Sequence, residues 1–130
     1  MKKMAAFFIA SFILIGFTQG QEKKSWKEMN EFHTVMSETF HPAEEGKLGP
    51  IKKRSQEMVE KAVAWQKSTA PESYDKEKVN ASLEKLVKGT KELNQLVKAK
   101  SSDKVLTDKL SGLHDIFHEI MEKCRKEEQH

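Results

Sequence analysis

Residues 106–124 read LTDKLSGLHDIFHEIMEKC, and this stretch decides the fold. Leu106, Leu110, Leu113, Phe117, Ile120 and Cys124 recur at alternating spacings of four and three. That spacing sets all six on one stripe of an α-helix, and such a stripe needs a partner surface to bury it. His114 and His118 stand one turn apart beside the stripe and project from a common face.

Working back from this helix, three more amphipathic segments emerge. Ser25-Trp26-Lys27-Glu28 is a capping-box pattern, with Ser25 as the expected N-cap. After it, Trp26, Met29, His33, Met36 and Phe40 repeat at helical spacing, which predicts a core-facing stripe with a histidine in its middle. Pro42 is expected to stop this helix, because the residue before a proline disfavours the helical region. Ala43 to Gly49 reads as a loop. Gly49-Pro50 starts the second helix, proline being tolerated in the first turn, where its missing N–H costs nothing. Its inward face is Ile51, Met58, Val59, Ala62 and Trp65. Ala70-Pro71 breaks it, and Asp75 caps a third helix to about Ala99 with Val79, Leu83, Leu86, Leu93 and Val97 inward. Gly89 interrupts that helix at a cost of about 1 kcal/mol relative to alanine, which predicts close approach of a neighbour or ligand there. Ser101-Ser102-Asp103 opens the last helix. No alternating run or Asn-Gly or Asp-Gly hairpin signals a strand. The expected fold is all-α, an antiparallel up-down-up-down four-helix bundle.

The chain starts as an export signal. Lys2 and Lys3 precede an apolar run from Ala5 to Phe17, and Thr18-Gln19-Gly20 offers small residues for cleavage. The run is shorter than the roughly 20 apolar residues a membrane span needs. The expected layout is therefore residues 1–20 as signal peptide and 21–130 as one mature domain, periplasmic or secreted and without a membrane span. Removing Lys2 and Lys3 takes the basic count from 23 to 21 against 20 acids, a net charge of +1. A near-neutral chain argues against nucleic acid as a partner. Cys124 is the one cysteine, so an internal disulfide is excluded. It reads as a small buried hydrophobe, with a soft metal ligand or an intermolecular disulfide making a dimer as its functional readings.

Four of the five histidines fall on the first and last helical segments: His33 and His41, His114 and His118. None lies between Pro42 and Leu113. In the expected bundle these helices are neighbours, and counting 1.5 Å per residue puts Met29 level with His118 and His33 level with His114. Imidazole suits zinc, copper, nickel and iron, and thioether suits copper(I) and haem iron. Candidate metal ligands are therefore His33, His114 and His118, with Met36 and His41 beside them. Two acid-x-x-His pairs, Glu38 to His41 and Asp115 to His118, are similar to the Glu-x-x-His element of di-iron bundles. Their levels disagree, however, and no inward glutamate appears on the second or third helix. No phosphate loop, serine nucleophile motif or paired inward carboxylates are present, so the residues give no basis for an enzyme.

With SWKEMNEFH near its mature start and HDIFHEI near its end, the chain resembles the cytochrome c-prime/b562 family of four-helix bundles. The resemblance implies a haem b held between the first and last helices by a methionine and a histidine. The matching positions are Met29 and His118, with Met36 or His33 as alternatives to Met29. The absence of Cys-x-x-Cys-His excludes covalent haem attachment. The extra histidines, the HPAEEG loop and Cys124 stand outside the family's pattern and favour either a different metal or a relative that kept only the bundle. The expected function is binding of haem b or a transition metal (copper, zinc or iron) for electron transfer, sensing or metal handling, with a redox partner or metal donor. The rival is a ligand-free envelope chaperone or protein-interaction module.

Overall fold

In the computed structural model, which describes residues 25–125, the apolar periodicities become four helices. They are α1 (Lys27–Glu44), α2 (Gly49–Lys67), α3 (Lys76–Lys98) and α4 (Asp103–Lys123), and no strand is present among the described residues. The expected export signal, with its expected cleavage point at Gly20, and the C-terminal His130 lie outside the described residues. None of the four helices is long and apolar enough to cross a membrane.

Three of the four helix starts follow local chemistry. Asp75 caps α3, its carboxylate accepting from the Glu77 and Lys78 N–H groups, and Ser102 caps α4 by accepting from Val105 N–H. Pro50 occupies the first turn of α2. The start of α1 departs from the capping-box expectation. Trp26 is its N-cap and makes no side-chain cap, while Ser25 Oγ accepts from the Asn30 side chain at 3.0 Å. Trp26 is held by packing instead: its indole N–H donates to Ser68 Oγ at 2.9 Å and its ring meets Trp65 and Tyr74.

Pro42 does not end α1, which runs on to Glu44. So near a C-terminus a proline removes one helical bond and leaves one carbonyl, on exposed Glu38, to water. The Pro42 carbonyl itself accepts from Glu45 and Lys47, and Gly46, at φ 84°, turns the chain out. The α1 stripe is also rotated from its predicted position. Phe32, Val35, Met36, Thr39, Phe40 and Ala43 are buried, whereas His33 is exposed and Met29 only partly covered. Burying Phe32 in place of His33 removes more apolar surface from water, at roughly 25 cal/mol per Å². Thr39 can join the stripe because its hydroxyl donates to the Val35 carbonyl at 2.9 Å.

Each helix packs on the next in sequence, and α4 packs back on α1 through the sparsest of the four contacts. Between α1 and α2 the polar ties are Glu38 to Arg54 at 2.6 Å and Glu31 to Lys61 at 3.7 Å. Between α3 and α4 they are Ser82 to Glu119 at 2.9 Å and Glu92 to Lys109 at 2.5 Å. All six predicted stripe residues of α4 are buried, and so are Ile51, Met58, Ala62 and Trp65 of α2. A Cβ on Gly89 would strike the Leu113 side chain, so the expected close neighbour is Leu113.

Candidate functional site

The four described histidines all stand along the edge where α1 meets α4. Aromatic rings of the core carry them there. His33 lies flat on Phe117, with centroids 5.0 Å apart and planes 11° apart. His114 lies flat on Phe40, at 4.0 Å and 12°. Phe117 also meets His118 edge-on at 5.6 Å, and Phe40 neighbours His41 at 5.9 Å. The seam is thus a row of rings in the order His33, Phe117, His118, His114, Phe40, His41.

These contacts shift the predicted levels by about one turn at Phe117 and about two at Phe40. His33 sits against Phe117 in place of His114, and His114 sits against Phe40. Met29 moves correspondingly toward the chain's C-terminal end, where its sulfur accepts from the Tyr74 hydroxyl at 3.7 Å. Tyr74 in turn bridges to Arg125, just beyond α4. Met36 is fully buried in the core.

Helix α4 does converge two donors. His114 Nε2 and His118 Nε2 are 3.2 Å apart, and His118 Nδ1 lies 3.1 Å from Glu122 Oε2. Two nitrogens bound to one zinc ion at 2.0–2.1 Å in tetrahedral geometry lie about 3.3 Å apart. The Glu122 carboxylate beside His118 Nδ1 favours the tautomer with its proton there, in which Nε2 accepts from His114 Nε2–H and a cation would take that proton's place, as behind metal-bound imidazoles. Burial, and after it the neighbouring His118, holds the His114 imidazole below its ordinary pKa, against opposing pulls from Asp115 and Glu44. A neutral imidazole is the form that binds a cation. An open surface groove between α3 and α4 is lined by His118, Glu122 and Ser82, so His118 is reachable from solvent.

At the end of α1 the same arrangement recurs more loosely. His41 Nδ1 faces Glu44 Oε1 at 3.7 Å, with both side chains largely exposed. The acids that serve the histidines therefore lie one turn after them, and the predicted upstream acids do not: Glu38 pairs with Arg54. Helical side chains lean toward the N-terminus, so an acid at i+3 or i+4 reaches back over a histidine at i. Glu44 and Glu122 were legible from spacing alone. As they stand, no three histidine, cysteine or acidic side chains converge on a common point among the described residues.

The residues present do not fit a haem. The space between α1 and α4 is filled by Phe32, Phe117 and Trp65, whose ring centroids lie 5.5 to 6.1 Å apart. Met29 faces Tyr74, Met36 is packed inside, and both His118 nitrogens are turned to His114 and Glu122. Cys124 is buried, 3.9 Å from Ser82 Oγ, and burial raises its thiol pKa. A disulfide to a second chain would require the end of α4 to open. No protein-family model, curated protein or solved structure matches the chain.

Proposed function

We propose that this is an exported metal-handling protein, an antiparallel up-down-up-down bundle of cytochrome b562-like architecture that binds a transition metal in place of haem. The observation that carries the reading is the pair of Nε2 atoms 3.2 Å apart, one of them oriented by Glu122. The antiparallel order is supported by the ties above, whose partners descend along one helix as they ascend along its neighbour. The export signal on residues 1–20 supports a periplasmic or secreted location.

Donor chemistry narrows the metal. The converging atoms are imidazole nitrogens, and the two candidate methionines are engaged elsewhere, Met29 with Tyr74 and Met36 in the core, which favours zinc or copper(II) over copper(I). Two protein ligands leave coordination positions open. A closed structural site would hold four, so an open one suits capture and release of the ion, with a metal donor as partner.

Zinc sulfate and copper sulfate titrated calorimetrically into the metal-stripped mature chain test this. One equivalent should bind, with binding lost in His114→Ala and in His118→Ala. Glu122→Gln should weaken it by about tenfold, the effect expected of a group that orients a ligand. A chain that binds neither ion, and melts at the same temperature with and without them, would sink the reading in favour of a ligand-free interaction module.

A further inference from the structure

We infer that His41, on the last turn of α1, is the third ligand of the ion held by His114 and His118, so that the metal fastens α1 to α4. This inference rests on the metal-binding reading above. Three observations point to His41 and away from His33.

The first is placement. Phe40 stacks on His114 at 4.0 Å, which brings this turn of α1 directly against the α4 pair, and His41 is the next residue. The second is orientation. His41 turns Nδ1 toward Glu44, as His118 turns Nδ1 toward Glu122. In both, a carboxylate stands behind one ring nitrogen and leaves Nε2 for a cation, the arrangement typical of metal-bound imidazoles. The third is freedom. The His41 side chain is 66% exposed and its Glu44 contact is long, at 3.7 Å, so it can rotate toward His114 without leaving a packed site. His33 lacks that freedom, because its ring is laid flat on Phe117. The electrostatic environment of His114 agrees with the placement. Both His41 and Glu44 act on it across the seam, and His33 is not among the groups that do.

The consequence is mechanical. The α1–α4 contact is the sparsest of the four, and a cation ligated from both helices would tie it at the outer edge, where the core does not reach. Three imidazoles with one open position form a site suited to zinc.

The test uses zinc sulfate with the full mature chain and compares His41→Ala with His33→Ala. Both positions are exposed, so both variants should fold. His41→Ala should weaken zinc binding by on the order of tenfold or more, a loss at least as large as that of a supporting residue. It should also reduce the rise in melting temperature that zinc produces, because a ligand stabilises in proportion to its affinity for the folded state. His33→Ala should match the parent in both respects. In the parent, the His41 ring proton resonances should move on zinc saturation. If zinc binds the parent and fails on His114→Ala, yet binds His41→Ala as tightly as the parent, the inference is overturned and the two-histidine reading stands. If His33→Ala is the variant that weakens, His33 is the third ligand and the inference is again overturned. A parent that binds no zinc removes both readings together.

Discussion

Helix α4 has two flanks, built on different principles. Against α3 it is fitted by volume and polar ties. The Leu113 side chain occupies the space a side chain on Gly89 would need, Ser82 donates to Glu119, and Lys109 pairs with Glu92. Against α1 it is fitted by ring faces, His33 on Phe117 and Phe40 on His114, in a sparser contact. The first flank leaves no room for an added carbon at Gly89. The second leaves imidazole edges free at its rim. The difference teaches how one helix carries a core and a candidate ligand set at once. Leu113 and Phe117 are buried, while His114 and His118, the residues that follow them, stand half out of it.

The sharpest way to break that comparison is to remove the ring on which the α1 flank rests. Phe117 is buried against Phe32 and Trp65 and supports His33 on its face. Phe117→Ala should cost about 3–5 kcal/mol, the usual range for deleting a buried aromatic ring. His33→Ala should cost about 0.5 kcal/mol or less, as for an exposed position. Urea denaturation of the two variants reads both values. Comparable losses would mean that the imidazole row, and not the core ring beneath it, holds this flank.

The α3 flank is probed by its glycines. Gly89→Val forces Leu113 out of its place, and overpacking of this kind costs about 1–3 kcal/mol. Gly112 lies on α4 with nothing within 4 Å of an added Cβ. Gly112→Ala should therefore stabilise, by up to about 1 kcal/mol, through helix propensity alone. Opposite signs at the two positions, seen as shifts of the urea midpoint, support a volume-fitted seam. A neutral Gly89→Val would show that Leu113 has room to move.

Much of this body was legible in the chain. The α4 stripe, the Asp75 and Ser102 caps, the Pro50 start and the tight spot at Gly89 follow from spacing and local chemistry, and each is realised. What was not legible was rotation and level. The apolar residues of α1 spread over a broad face with His33 at its margin, so Phe32 and His33 competed for the inward position, and the neighbouring helices decide such a contest. The level of α1 against α4 depends on loop lengths and on the continuation of α1 through Pro42 to Glu44, which periodicity does not report. A slip of about two turns there exchanges His33 for Phe40 as the neighbour of His114, and with it the membership of the candidate site.

Acid should separate the two flanks by the smallest effect of all. The groups facing His114 are His118 and Asp115 on α4 and His41 and Glu44 on α1, and burial is the main cause of its lowered pKa. The unfolded chain therefore takes up a proton at this position at higher pH than the folded one. The stability His114 contributes is present above its ordinary value of 6.5 and is lost as pH falls through the lower folded value. On the α3 flank, Lys109 lowers the Glu92 carboxyl below its ordinary 4.5, so that contribution persists above 4.5 and fades only at more acid pH. Lowering the pH from 7.5 past 6.5 should thus weaken the α1 flank while the α3 flank is unchanged. Urea midpoints of the parent and of His114→Gln, measured without metal across that interval, read the effect. The parent should lose stability with falling pH and the variant should lose less of it. Equal slopes would mean that the buried imidazole titrates alike in the folded and unfolded chain, and that the ring seam is no more sensitive to acid than its neighbour.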